Sequence, residues 1–439
     1  MRIAIAAPIA TADLSARLHG GGHGLPAGYL GAPLTAVLIG ELLDQGHEVA
    51  AITVDYVFDG PQPARASGPG LSFDVLPGRR HAWRFNGRQP GRILDLFRVE
   101  RRALCAAILA ANVDLVHAHW TGEFALAAQA SGVPHVITAH DSARQVLKHT
   151  RSPYRAGRAL MAHQVLRQAG CVTAVSDYLA HEIARPGGAL PLALPNPVAA
   201  AVIAAGAARA GASARRIGMV GNGWGSRKNA IPALQAFAQW RGQWPASESA
   251  GGAGSRAVGQ TAGAAMGLPE GGGASRTASG PAPELHLFGA DFGPGERAAA
   301  WVARHLSPAG MHFHGMLAHS ELMARLARLD LLLHPALEES FGVVLAEAMA
   351  LGLPVVAGAH SGAVPWVVGD AQWLVDVRSP DAIAAALNEA FTDLDRYAKA
   401  SQQGRQRVLD HFTPAAVAAQ YLAVYQQVLR AAAVPVPLR

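Results

Sequence analysis

The chain has 439 residues, half of them hydrophobic and only 15% charged, with a formal net charge of +6. That length predicts two or three domains, and the composition excludes a wholly disordered polypeptide. No apolar run approaches the roughly 20 residues that span a bilayer, and the basic balance comes without a nucleic-acid motif, so no nucleic-acid partner is expected.

"RIAIAAP" (2–8) predicts a first strand rather than a signal peptide. Two glycine-rich stretches follow, "HGGGHG" at 19–24 and the segment holding Gly28 and Gly31. A second strand is expected at 48–55. The densest basic stretch, Pro77 to Arg102, interleaves Arg79, Arg80 and Arg84 with Trp83, Phe85 and Phe97. Two readings stay open for it: a solvated Arg-rich helix and loop, or contact with a membrane surface or acidic acceptor. Strands at 114–120, 134–141 and 171–176 complete a first series, and Pro195, Asn196 and Pro197 set a hinge within 192–200.

A second series of strands is expected at 216–222, 284–290, 311–315, 329–336, 353–358 and 372–377, with Ala/Leu-rich helical runs between them. Such alternation predicts two Rossmann-like, doubly wound parallel-sheet domains, 1–197 and 198–411, facing a cleft lined by the carboxyl ends of the strands. Residues 245–283 are rich in Gly, Ala and Ser and read as a flexible insertion in the second domain. Residues 412–430 read as a last helix returning toward the first domain, and 431–439 as a fraying tail. Cys105 and Cys171 are too few for a disulfide framework, which points to a cytoplasmic setting.

"EESFGVVLAEAMALGLPVVAG" (338–358) carries the chemistry. A helix is expected to begin near Ser340 as its cap, leaving the amides of Phe341, Gly342, Val343 and Val344 free to bind an anion such as a diphosphate. Glu347, inside the helix, can then accept two hydrogen bonds from a vicinal diol, and Glu339 can reach hydroxyls on the other side of the phosphates. Arg227 and Lys228, in "VGNGWGSRKN", suit a leaving diphosphate, and that loop fits neither a dinucleotide fingerprint nor a Walker pattern. His117 and His119 share one side of a strand without an evident third metal ligand, and "DLD" (393–395) reads as solvated.

The stretch from Glu339 to Gly358 resembles the Glu-x7-Glu signature of retaining glycosyltransferases of family 4, which have a GT-B fold. "VITAHD" (136–141), "CVTAVSDYL" (171–179), "LDLLLHPALEESFG" (329–342) and "HSGAVPWVVGD" (360–370) resemble segments of the same family. The resemblance implies transfer of a hexose from a nucleotide-diphosphate sugar to a glycan or lipid-linked hydroxyl, with retention and without a metal cofactor. The roles it implies place Glu339 on the donor sugar, Glu347 on the ribose and Phe341 to Val344 on the diphosphate. Lys228, assisted by Arg227, would meet the leaving phosphate, and His140 would orient a sugar hydroxyl. Gly31, with Gly28, would face the donor phosphates, with 19–24 as the competing loop. Two positions depart from the family pattern: Gly223 stands where an Arg is usual, and Trp366 where a Glu often follows the late-loop proline. In peripheral contact with the inner face of a membrane, 78–102 would serve polysaccharide or glycolipid synthesis. The rival reading is a non-catalytic sugar-nucleotide binder or scaffold of the same fold.

Overall fold

The computed structural model describes residues 1–209, 211–212, 214–244 and 281–433. Most of the expected insertion (245–280) and the last six residues of the tail therefore lie outside the described residues.

Each of the expected apolar runs holds a strand. The first sheet is built from β1 (Arg2–Ala6), β2 (Glu48–Asp55), β3 (Ala64–Gly68), β4 (Leu71–Pro77), β5 (Leu115–His119), β6 (His135–Ala139), β7 (Val172–Ala174) and β8 (Leu192–Ala193), in the order β3-β4-β2-β1-β5-β6-β7-β8. The second contains β9 (Arg216–Val220), β10 (Glu284–Phe288), β11 (Met311–Gly315), β12 (Leu331–His334), β13 (Val355–Gly358) and β14 (Trp373–Val375), in the order β11-β10-β9-β12-β13-β14. All pairings are parallel except β3 with β4. Helices cover both faces, so the central strands are apolar on both sides; Ile3, Ala4, Ile5 and Ala6 are fully buried.

Strands β3, β4 and β8 were not expected. β3 is an edge strand of small and polar residues whose exposure alternates, and β8 has two residues, too few for a hydrophobic period to register.

The chain passes between the two sheets near Leu194–Ala199 and again at Phe412, where the Val198 N–H donates to the Phe412 carbonyl at 2.8 Å. The last helix, Pro414–Ala433, extends three residues into the stretch read as tail. Its Val417, Ala418, Tyr421, Val424 and Tyr425 are buried in the same core as Ile3, Ile5 and Leu38 of the first sheet and its helices. No described helix is long and apolar enough to cross a membrane.

The basic stretch divides in two. Arg79 is buried and bridges Asp95 and Glu100 at 2.8 and 2.7 Å, which removes it from any outer surface. Trp83 and Phe85 are exposed, as are Arg80 and Arg84. The helix in this region begins only at Arg98.

Candidate active site

The 338–347 segment departs from the expected cap. The helix runs Val343–Ala350, and Gly342, at φ +81°, occupies the N-cap without a side-chain bond. A Cβ at Gly342 would lie 2.7 Å from Leu345 Cδ1, so the turn needs glycine for its space as well as its backbone angle. Ser340 is held elsewhere: its carbonyl accepts from Ser176 Oγ at 2.6 Å. Ser176 also caps the helix Asp177–Ile183, so one hydroxyl ends a first-domain turn and fixes the second domain's loop. Among the described residues, none of the amides from Phe341 to Val344 donates a hydrogen bond.

Around that turn the charges are paired. Lys228 Nζ donates to Glu339 Oε1 at 2.6 Å, and Arg227 Nη1 to Glu338 Oε2 at 2.9 Å. The Leu337 N–H also donates to the Arg227 carbonyl at 2.8 Å, which clasps the loop after β9 to the loop after β12. Burial alone raises the Glu339 carboxyl, but His334 and Lys228 outweigh it and hold it well below the usual carboxylate range. His334 Nε2 stands 3.5 Å from Glu339, close enough for electrostatics but not aligned as a hydrogen bond, and both its ring nitrogens are buried without a hydrogen-bond partner.

Glu347 is buried, not solvated, and its Oε1 lies 2.6 Å from His319 Nε2. That bond raises the His319 pKa above its ordinary value; burial opposes the rise, while Glu347 and Asp13 add to it through charge. Asp13 belongs to the short helix Thr11–Leu14 after β1, so the first domain acts electrostatically on His319, the partner of Glu347.

From the first domain, His140 stacks on Trp120 with ring centroids 4.1 Å apart, and its Nε2 is 2.8 Å from His119 Nδ1. His119 packs in turn, tilted, against His117, which is bonded to Tyr425 Oη at 2.6 Å and Thr138 Oγ1 at 2.7 Å. His117 and His119 are thus engaged in this ladder. Burial lowers the pKa of all three, His119 to about 3, so the ladder is neutral near pH 7. Beside it, burial raises the Asp141 carboxyl while Arg158, Arg155 and, from the facing domain, Arg227 pull it down. Asp141, next to His140 in the chain, thus feels the charge of Arg227 from the facing domain.

Gly31 lines a cavity of about 140 Å³ with Tyr29, Trp120, Glu123 and Arg158, whereas the 19–24 turn packs against β3. Gly28 approaches the backbone of Ile9 closely and its N–H donates to Asp55 at 3.0 Å. Trp366 packs against Phe341 and Phe412. Asp393 caps the helix Leu394–His411, and both it and Asp395 are exposed, as expected. Glu338, His334, His319, Asp13 and Trp120 had no sequence signal, because each gains its place only when separate loops meet.

Residues 34–198 match the family profile described as Glycosyltransferase Family 4, and residues 278–407 match Glycosyl transferases group 1. Arg227 and Lys228 fall between the two segments. The chain is 34% identical over 107 residues to N-acetyl-alpha-D-glucosaminyl L-malate synthase of Bacillus anthracis, a match covering 24% of this chain and 28% of that relative. In fold it resembles sucrose-phosphate synthase of Thermosynechococcus elongatus, with a TM-score of 0.68, 18% identity, and coverage of 98% of this chain and 100% of that one. Anabaena HepE in complex with UDP-glucose gives a TM-score of 0.58 at 16% identity, covering 97% and 100% of the two chains. The two matched segments are those of glycosyltransferase families, and the fold is the two-sheet GT-B fold of these neighbours.

Proposed function

We propose that the chain moves a hexose from a nucleotide-diphosphate sugar to a hydroxyl acceptor with retention of anomeric configuration, in polysaccharide or glycolipid synthesis. The observation that carries this is the free row of amides from Phe341 to Val344 beside the clasped Lys228–Glu339 and Arg227–Glu338 pairs. A diphosphate laid across that row meets the helix N-terminus and both cations. Glu347 faces the ribose and exchanges His319 for the diol. Glu339, kept ionised by its neighbours, accepts from sugar hydroxyls, and neutral His140 holds a hydroxyl on the opposite side.

The carbon–oxygen bond to the leaving phosphate breaks as the acceptor oxygen attacks the same face. The departing phosphate oxygen takes the acceptor proton. Lys228, Arg227 and the helix N-terminus supply the positive charge this step needs, so the transfer takes no metal cofactor. Trp83 and Phe85, exposed beside Arg80 and Arg84, suit a peripheral contact with an anionic membrane where a lipid-linked acceptor is held.

Purified protein screened against UDP-, GDP- and ADP-sugars tests this reading by thermal shift and slow donor hydrolysis. The expected result is one nucleotide series giving both signals, each lost in Glu347→Ala. Binding without turnover across an acceptor panel would instead support a non-catalytic binder, and no response to any donor would overturn both readings.

A further inference from the structure

We propose that Glu284, His286 and His312 form a binding site for a borderline divalent cation of the Zn²⁺ class, on the β11 edge of the second sheet, with His314 positioning His286. Strand geometry assembles it. Side chains two apart share a face, so Glu284 and His286 on β10 look the same way, as do His312 and His314 on β11. The parallel register sets His286 directly beside His312. Leu285 and Leu287 point the other way and are fully buried, which orients the imidazoles and the carboxylate away from that core.

The spacing fits one ion. Each of the three residues offers a ligand atom, and these atoms all lie within 4.8 Å of one another. His286 Nε2 stands 3.4 Å from Glu284 Oε2, and His312 Nε2 3.9 Å from Glu284 Oε1. Two tetrahedral ligands at about 2.0–2.1 Å from a zinc ion lie about 3.3–3.4 Å apart, so small rotations of half-exposed side chains complete the set. Two imidazoles and a carboxylate favour Zn²⁺, Co²⁺, Ni²⁺ or Cu²⁺ over Mg²⁺ or Ca²⁺. Exposure leaves a fourth position open to water.

The supporting contacts are already in place. His286 Nδ1 lies 3.0 Å from His314 Nε2. With a cation on Nε2, His286 carries its proton on Nδ1 and donates to His314, the outer contact that ordinarily orients a metal-bound imidazole. His314 then carries its own proton on Nδ1, and Arg325, 3.3 Å away, turns to Glu321, which it already holds through Nε and Nη2.

The cluster occupies the amino-terminal half of β10 and β11, whereas Lys228 and Glu339 follow the carboxyl ends of β9 and β12. The bound cation joins the edge strand to its neighbour and takes no part in the transfer, so this inference stands apart from the proposed activity.

Because the chain has 19 histidines, the test must separate this site from background binding. Untagged, chelator-stripped protein is titrated with Zn²⁺ against a chromophoric chelator, and separately with Co²⁺ in the visible range. The expected result is one tight Zn²⁺ per chain and an intense, low-coordinate Co²⁺ spectrum, both lost in His286→Ala and His312→Ala. His314→Ala should weaken binding by roughly 10–100-fold, as removal of an outer-shell partner does. The melting temperature of the wild type, but not of His312→Ala, should rise with Zn²⁺. Unchanged Zn²⁺ affinity and stoichiometry in the two alanine variants would overturn the proposal. So would a weak, octahedral Co²⁺ spectrum in the wild type, a readout that stands even if a variant fails to fold.

Discussion

Lys228 Nζ and Glu339 Oε1 lie 2.6 Å apart although 111 residues separate them, and this bond joins the loop after β9 to the loop after β12 at the mouth of the cleft. Both side chains are mostly buried, so removing one leaves the other short of compensation. Lys228→Ala should lower stability by roughly 2–4 kcal/mol, somewhat under or within the range for fully buried pairs, and donor turnover by about 10²–10³-fold. Because the folded-state pKa of Glu339 is depressed, its stabilisation is complete above the unfolded value of about 4.3 and is lost as pH falls through the folded one. Acid unfolding of Glu339→Gln, which lacks that titration, should show a flatter dependence than the wild type.

His319, bonded to Glu347, gives the opposite sign. The His319 pKa is raised, so its stabilisation is complete below about 6.5 and disappears as pH rises through the folded value. The gap in melting temperature between wild type and His319→Ala should therefore be widest in mild acid and close in alkali. Asp13 faces the same ring, and Asp13→Asn should narrow the gap. A gap independent of pH would show that His319 acts through packing alone.

Gly342→Ala should damage the turn proposed to hold the diphosphate without disturbing the sheet. Left-handed backbone costs a non-glycine residue about 1–2 kcal/mol, and the clash with Leu345 adds to it. Donor affinity, read by thermal shift, should fall at least tenfold while circular dichroism stays that of the wild type.

Tyr425→Phe removes the hydroxyl that satisfies His117 at the base of the histidine ladder. An unsatisfied buried nitrogen costs about 1–3 kcal/mol. The loss should appear in denaturant midpoints, with a smaller fall in turnover passed up through His119 to His140.

Arg79→Ala should unfold the region after β4 rather than weaken a surface contact, because it strands the buried Glu100; roughly 3–5 kcal/mol is expected. Trp83→Ser with Phe85→Ser should instead reduce binding to anionic vesicles and leave the melting temperature unchanged. If the double variant binds vesicles as the wild type does, the membrane reading of this stretch fails.

Local sequence determined a great deal of this protein. Buried parallel strands must be continuously apolar, so runs such as "RIAIAAP" and "LDLLLHPA" announced themselves, and with them the two-sheet architecture. Glu339 and Glu347 were legible because seven residues across one turn is a local relation. Trp366, by contrast, stands out in sequence only as a departure, and the fold explains it as a packing partner of Phe341.

Tertiary structure alone decided who meets whom. Ser340 is a good cap by type, yet Ser176 claims its carbonyl from the other domain and Gly342 takes the cap position of a helix that begins at Val343. Arg79 reads as one more surface arginine until Asp95 and Glu100 enclose it. Asp13 of one domain faces the His319 that holds Glu347 in the other, and His286 finds His312 through strand register. The physical reason is common to these cases: pattern reports how much of a side chain is buried, whereas pairing depends on distances between loops far apart in the chain.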